Sequence, residues 1–244
     1  MQIFDVIDST QLEAKRQIDV SGFLNDSILA FKQTTGLTTK IGVPWVAQKG
    51  DLLLSVVFNI EELNKHGHII INYLSFCVSI AMFDFLKSVE PNLKIFFKWP
   101  NDVLILQQKT NNYKKICGIL ADVYKGHFII GIGCNLVSFP EQTNNFPATS
   151  LFNETGKQLD CIDTANQIIK ETTRNIIKIQ QFGFNSIKNK WKEHAYMMGQ
   201  KLCMKDGGSI IFNDINDEGF LVGLNADGKK VIITSDEVIC KCKI

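Results

Sequence analysis

Apolar and polar positions follow each other in blocks that predict a mixed α and β chain. Short apolar runs bounded by polar turns are typical of buried strands. Such runs occur at 27–33, 51–59, 94–99, 102–106, 116–124 and 127–136. The last three of these runs predict two hairpins: the polar stretch 107–115 forms the turn of the first, and the second turns at Lys125 and Gly126.

Helical patterns occupy four segments. The stretch "DSTQLEAKRQI" (8–18) predicts a helix that begins at Ser9 or Thr10, with Glu13 placed to complete a capping box. The apolar run at 69–86 is interrupted by polar residues, so a buried core helix explains it better than a membrane span. Apolar residues at helical spacing between 162 and 179 predict an amphipathic helix, and a further helix carries Trp191. The segment from 138 to 160 is predicted to be a loop.

The pattern changes after Gly199, where short strands alternate with turns. The turns are predicted at Gly207-Gly208, at 217–219 and at Asp227-Gly228. This spacing is typical of a small β-barrel. We therefore expect two domains, at 1–198 and 199–244.

Charge and cysteine usage exclude several classes of protein. The 244 residues contain 26 Lys and Arg against 25 Asp and Glu, a net charge of +1, which argues against a nucleic-acid or polybasic membrane binder. Seven cysteines without a C-x-x-C pair fit reduced thiols, and the N-terminus shows no signal peptide, so we expect a cytoplasmic protein. Zinc-ligand spacing, a G-x-S-x-G elbow and a Walker A loop are all absent from the sequence.

The stretch "FFKWPNDVLIL" (96–106) places charged residues between two apolar runs. One interpretation is a strand, a proline turn and a second strand, with Lys98 and Asp102 as surface charges. The alternative is a rigid corner, because Pro100 restricts Trp99 to an extended conformation and Asn101 and Asp102 tolerate a tight bend. Such a corner would direct an amide and a carboxylate to one point, as a phosphate and magnesium site requires.

Two later strands, "KICGIL" (115–120) and "GIGCNL" (131–136), carry unusual polar and glycine positions. Lys115 is either an edge residue whose ammonium reaches solvent or a functional group. Gly118 weakens a strand unless something approaches its backbone closely. Gly131 and Gly133 alternate and so share one sheet face, which would leave a trough for a ring or ribose, with Asn135 on the same face. Because no helix follows this G-x-G, a Rossmann phosphate loop is not indicated.

In this order, the motifs resemble those of the biotin protein ligases. The matching stretches are "DST" (8–10), "KWPND" (98–102), "KICGIL", "GIGCNL" and "ATSL" (148–151), followed by the small barrel. The resemblance implies an α+β fold, the class II synthetase-like biotin/lipoate ligase fold, in which helices flank a central mixed β-sheet and a C-terminal SH3-like β-barrel follows. It also implies that biotin and ATP form biotinyl-5′-adenylate, which a lysine of a carrier domain then attacks.

The resemblance also implies roles for individual residues. The catalytic residues would be Lys115, Asp102 and Lys98, and Asp102 would also hold Mg²⁺. The biotin site would contain Ser9, Thr10, Gln33, Gly36, Gly118, Leu120 and Gly131. The nucleotide site would contain Trp45, Asn101, Gly133, Asn135 and Lys40.

One stretch departs from the family pattern. The family's glycine- and arginine-rich loop corresponds to "GLTTKIGVPW" (36–45), where Leu37 and Thr39 replace arginines and Lys40 or Lys49 would have to substitute. The alternatives to a biotin ligase are therefore a lipoate ligase-like enzyme or a biotin sensor with impaired adenylation. The expected partner is the biotin carboxyl carrier protein of acetyl-CoA carboxylase, without nucleic acid or membrane. We expect no N-terminal DNA-binding domain, and monomer and homodimer remain open.

Overall fold

The computed structural model describes residues 1–37, 45–107, 110–141, 146–205, 207–234 and 238–241. Helices flank a seven-stranded sheet, and a five-stranded sheet follows it along the chain. The predicted α+β class with a central mixed sheet is thereby confirmed.

The seven-stranded sheet is mixed. Its strands are β1 (Gln2–Phe4), β2 (Ser27–Ala30), β3 (Leu52–Asn59), β4 (Ile95–Lys98), β5 (Asp102–Gln107), β6 (Asn112–Tyr124) and β7 (His127–Cys134). They lie in the order β1-β2-β3-β7-β6-β5-β4, with β1 parallel to β2 and every other pair antiparallel. The two predicted hairpins, β5–β6 and β6–β7, are confirmed, whereas β1 was missed because it is only three residues long.

Six helices occur in the described part of the chain. They are α1 (Thr10–Ser21), α2 (Ile60–Asn64), α3 (Ile71–Val89), α4 (Leu151–Thr155), α5 (Cys161–Phe182) and α6 (Asn185–Glu193). The core helix α3 packs against α5, α6 and the sheet, and most of its side chains from Leu74 to Leu86 are buried. No helix in the described part is long and apolar enough to cross a membrane.

The five-stranded sheet is antiparallel and is consistent with the predicted SH3-like barrel. Its strands are β8 (Lys201–Met204), β9 (Ser209–Ile215), β10 (Leu221–Leu224), β11 (Lys230–Ile233) and β12 (Val238–Lys241). Its β9–β10 turn contacts the first sheet, since the Trp99 indole donates a hydrogen bond to the Gly219 carbonyl at 3.0 Å. The domain boundary at 198 stays a prediction.

Three predictions from the sequence are wrong in detail. Ser9 caps α1 with its backbone only, because its hydroxyl makes no cap hydrogen bond and Glu13 bonds to Arg16 and Gln17 instead. The 138–160 segment contains the short helix α4, which is capped by the Ser150 hydroxyl. Within the described residues, Cys77, Cys117, Cys134 and Cys161 are free and buried, but Cys203 is disulfide-bonded, so the expectation of reduced thiols does not hold there.

Candidate active site

Two glycines form the floor of a cleft on one face of β6 and β7. Gly118 and Gly133 are directly opposite each other in the strand pair. The indole ring of Trp45 lies over both, since an added Cβ would come within 2.8 Å of ring atom Cζ3 at Gly118 and of Cδ2 at Gly133. Any larger residue at either position would therefore collide with this ring. The glycines explain how a flat aromatic surface can approach the sheet.

The cleft is lined by residues from α1, β3, β6 and β7 and from the loops that follow β2 and β4. The lining residues are Ser9, Thr10, Gln11, Gln33, Leu37, Trp45, Leu53, Leu54, Asn101, Lys115, Gly118, Ile119, Leu120, Gly131, Ile132 and Gly133. Apolar side chains thus alternate with a small number of polar groups. This composition is typical of sites that bind small organic ligands.

A polar wall stands at the start of α1. The Thr10 hydroxyl donates to Gln33 Oε1 at 3.1 Å and accepts from the Ser55 hydroxyl at 2.8 Å. Ser9 Oγ and Gln11 Oε1 are buried and have no hydrogen-bond partner within the described chain. Buried polar atoms are rarely left unpaired. These two atoms are therefore available to hydrogen-bond a ligand.

A cluster of three charges lies at one end of the cleft. The Lys115 ammonium is 2.5 Å from one carboxylate oxygen of Asp102, and the Lys98 ammonium is 3.5 Å from the other. The Asp102 side chain is only 12% exposed. Burial acts to raise the pKa of Asp102, but the positive charges of Lys115 and Lys98 outweigh it and hold the pKa below its ordinary value. Asp102 is therefore ionised at neutral pH.

The interruption in "FFKWPNDVLIL" produces a tight hairpin corner. Lys98 and Asp102 are opposite each other at the ends of β4 and β5, and the Trp99–Pro100 peptide bond is cis. The Asn101 side chain donates to the carbonyl of Ile119 at 2.8 Å, and the Ile119 amide donates back to the Asn101 carbonyl at 2.9 Å. The corner is thus attached to β6. The interpretation of Lys98 and Asp102 as surface charges is wrong.

An irregularity in strand pairing directs Lys115 toward the cleft. Val103 pairs with Cys117, whereas the next residue, Leu104, pairs with Lys115, so Ile116 is an extra residue in β6. Residues three apart in a regular strand point to opposite faces, but a bulge can redirect a side chain. An added Cβ on Gly118 would accordingly lie 2.9 Å from the Lys115 ammonium. Lys115 and the floor glycines therefore face the same space.

The structure brings most of the predicted site residues together, although their roles stay predictions. Those absent from the cleft lining are Lys98, Asp102, Gly36 and Asn135. The first two reach the cleft through Lys115, and the Asn135 amide donates to the Thr149 carbonyl at 3.0 Å. Lys40 lies outside the described residues. Asp102 pairs with both Lys98 and Lys115, and the pairing of Asp102 and Lys98 with ligand and metal stays a prediction.

Sequence reasoning missed several lining residues. The most informative is Gln11, whose side-chain amide donates to the Leu120 carbonyl at 3.0 Å and lies against Gly131. Its position directly after the "DST" motif was the available signal. Leu37, Leu53, Leu54, Ile119 and Ile132 were also missed. The last four belong to apolar runs, so nothing in the sequence separates them from the core, whereas Leu37 lies in the loop after β2.

The described residues offer little to a metal ion by themselves. They contain no group of three or more His, Cys, Asp or Glu side chains able to hold one. Asp102 is the only carboxylate in the charge cluster, and two ammonium groups already contact it. Mg²⁺ commonly binds one carboxylate together with substrate phosphates and waters. Its binding here stays a prediction that depends on such phosphates.

Comparison with known proteins gives the class of this chain. A sequence model described as the Biotin/lipoate A/B protein ligase family matches residues 3–136, more than half of the chain. The chain belongs to this family, and it is an enzyme of the ligase class. The resemblance stated from the motifs is thereby confirmed.

Individual relatives carry more specific names. A "Biotin--[acetyl-CoA-carboxylase] ligase" of Paracoccus denitrificans is 28% identical over 239 residues, covering 92% of this chain and 94% of the relative. One of the same name from Mycobacterium tuberculosis is 25% identical over 228 residues, covering 91% and 80%. The solved biotin protein ligase from Aquifex aeolicus in complex with biotin and ATP shares the fold, with a TM-score of 0.77, 24% identity and coverage of 97% and 96%.

Proposed function

We propose that this protein uses ATP to attach biotin to a lysine of a biotin carboxyl carrier protein through biotinyl-5′-AMP. The observation that carries the proposal is Lys115, held by Asp102 at the end of a cleft that Gly118 and Gly133 floor. The cleft provides an apolar trough, a polar wall and a positive charge. These are the groups that a bicyclic ligand with a carboxylate tail and an anionic nucleotide require. The relatives named as biotin ligases support the same conclusion.

The first step joins two anions. A biotin carboxylate oxygen attacks the α-phosphorus of ATP, an O–P bond forms, and pyrophosphate leaves with the electrons of the broken P–O bond. Little proton transfer is needed, so catalysis consists of positioning and charge neutralisation. Lys115 is a compact ammonium that can contact both the carboxylate and the α-phosphate. Lys98 adds a second positive charge, and the Asp102 carboxylate bridges the two ammonium groups.

The second step transfers the acyl group. The amine of a carrier lysine attacks the acyl carbon, a C–N bond forms, the C–O bond to AMP breaks, and the amine loses a proton. AMP leaves as an anion that Lys115 can stabilise by the same contact. Trp45 covers the trough and would exclude water from the mixed anhydride between the two steps.

Recognition of the biotin ring is assigned to the polar wall. The ureido group has two N–H donors and one carbonyl acceptor. Gln11 Oε1 can accept from an N–H, and the Ser9 hydroxyl can donate to the carbonyl, while Thr10 holds Gln33 in the wall. When bound, Mg²⁺ would neutralise phosphate charge beside Asp102. Several expectations stay predictions. They are the cytoplasmic localisation, the carrier of acetyl-CoA carboxylase as partner, the absence of nucleic acid as partner, and the choice between monomer and homodimer.

Adenylation and transfer can be tested separately. The protein is incubated with labelled ATP, Mg²⁺ and either biotin or lipoate, and the labelled adenylate is measured. A carrier domain with its acceptor lysine is then added, with a Lys→Ala carrier as control. We expect biotin-dependent adenylate and a biotinylated carrier. Preference for lipoate would favour the lipoate ligase alternative, and biotin binding without adenylate would favour a sensor.

A further inference from the structure

Asp51 is a buried charge that none of the site predictions includes. It lies directly before β3, at the level where Leu52 pairs with Cys134 of β7. Its exposed fraction is 0%. A buried carboxylate is costly unless hydrogen bonds compensate for lost water. The groups that surround Asp51 therefore indicate what the residue does.

The Asp51 carboxylate accepts four hydrogen bonds, all from donors of nearby loops. Oδ1 accepts from the backbone amides of Val137 at 2.8 Å and Ser138 at 3.0 Å. Oδ2 accepts from the Gln48 amide at 2.9 Å and from the Ser138 hydroxyl. Asp51 forms no ion pair with any residue in the described part of the chain. Within that part, only neutral hydrogen-bond donors stabilise its negative charge. The Asp51 carboxylate therefore joins two loops by hydrogen bonds, one through Gln48 and the other through Val137 and Ser138.

The two loops joined in this way both lead to the active site. Gln48 is three residues after Trp45, whose ring covers the trough floor. Val137 is two residues after Asn135, at the end of the "GIGCNL" stretch. The two loops also contact each other directly, because a Cβ added to Gly50 would lie 2.9 Å from Val137 Cγ2. Gly50 has a φ of +102°, which also favours glycine at this position. Asp51 thus links the segment that carries Trp45 to the end of β7.

We propose that Asp51 is a positioning residue that holds Trp45 over the trough and thereby controls how tightly biotin and ATP are retained. This inference rests on the proposed function. Asp51 does not line the cleft, so it takes no part in the chemical steps. Its removal should weaken ligand binding and leave the chemistry of bound ligands nearly unchanged.

The decisive variant is Asp51→Asn, which keeps the shape of the side chain. If Oδ1 still accepts from the Val137 and Ser138 amides, the new NH₂ faces the Gln48 amide, which cannot accept a hydrogen bond. The bond to Gln48 is therefore lost, even if the Ser138 hydroxyl turns to accept from the NH₂. We expect the KM for biotin and for ATP to rise about tenfold or more, with kcat within about twofold of wild type. Unchanged KM values, or an equal fall of kcat and kcat/KM, would overturn the inference.

A matched control separates positioning from a general loss of stability. Asp160 also accepts hydrogen bonds from backbone amides, those of Ile162 at 2.8 Å and Asp163 at 3.0 Å, but it caps α5 and does not line the cleft. Asp160→Ala should lower the unfolding midpoint without changing either KM. If Asp160→Ala raised KM as Asp51→Asn does, the effect would be one of stability and the proposed role would be wrong.

A measurement without substrates tests the position of Trp45 directly. Tryptophan fluorescence is measured at increasing acrylamide for each protein and for the same protein with Trp45→Phe added. The difference between the two signals gives the quenching constant of Trp45. Asp51→Asn should increase this quenching constant, and Asp160→Ala should not. An unchanged constant would overturn the inference. Inactivity of wild type in the adenylation assay would instead overturn the proposed function, while the quenching result would still report on Asp51.

Discussion

Gly133→Ala should close the floor of the cleft without unfolding the protein. Gly133 does not have a positive φ, so alanine meets no backbone strain, and in a strand it is favoured over glycine by roughly 0.5–1 kcal/mol. The added methyl carbon, however, would lie 2.8 Å from two atoms of the Trp45 ring. Approaches below 3.0 Å cannot persist, so the ring must move away from the sheet.

The size of the effect follows from this displacement. Inserting one methyl group into a well-packed contact typically costs about 1–3 kcal/mol. In the free protein Trp45 can shift to avoid the cost, since it lies on a half-buried loop. A ligand that takes the place of the Trp45 ring on this floor has no such freedom. The dissociation constant for biotin should therefore rise about 5- to 150-fold, because about 1.4 kcal/mol corresponds to a factor of ten.

Calorimetric titration of biotin into wild type and Gly133→Ala measures this change, and thermal unfolding measures stability. Val123→Ala is the matched control, since Val123 is 53% exposed on the adjacent strand β6 and does not line the cleft. It should bind biotin as wild type does. Wild-type affinity in Gly133→Ala, with an unchanged unfolding midpoint, would refute a ligand site on the floor at Gly133.

Three further predictions concern the charge cluster and the polar wall. Lys115→Ala should slow adenylate formation at least about 100-fold with biotin still bound, measured by pyrophosphate release; near-normal turnover would remove Lys115 from its role. Because the pKa of Asp102 is lowered, its ionised form stabilises the fold above the ordinary pKa, and this stabilisation is lost as pH falls through the lowered pKa. The difference in unfolding free energy between wild type and Asp102→Asn should thus be constant from about pH 8 to about 5 and shrink below about pH 4, and a pH-independent difference would contradict this. Thr10→Val should weaken biotin binding about tenfold in calorimetric titration, since it leaves the Ser55 hydroxyl without its acceptor and Gln33 with only the backbone amide of residue 10, and unchanged affinity would exclude this wall from the site.

The main elements could be predicted because their hydrophobic patterns are long. The core helix α3, the amphipathic helix α5 and the two hairpins all follow from periodicity or from continuous apolar runs. The short helices α2 and α4 have only five residues each, too few to show a period. The disulfide at Cys203 could not be predicted, because an odd number of cysteines without a motif does not indicate which of them approach each other.

The candidate site was predictable in composition but not in geometry. The motifs indicated Lys115, Asp102 and the glycines, yet regular alternation would put Lys115 and Gly118 on opposite faces of β6. The extra residue Ile116 reverses this, and a bulge leaves no reliable signal in one sequence. Gln11 was missed for a similar reason, since only the packing of α1 against β7 brings its amide to Gly131.

The charge cluster also explains why a buried corner carries ionised groups. Two ammonium groups that both approach one carboxylate would repel each other without it, and Asp102 alone would be an unpaired buried anion. Together the three groups carry one net positive charge beside the cleft. Under the proposed function, a carboxylate and a triphosphate that enter the cleft repel each other, and this excess charge would reduce that repulsion. The interruption of the apolar strands at Lys98–Asp102 would then be a cost to the core that the binding of two anions offsets.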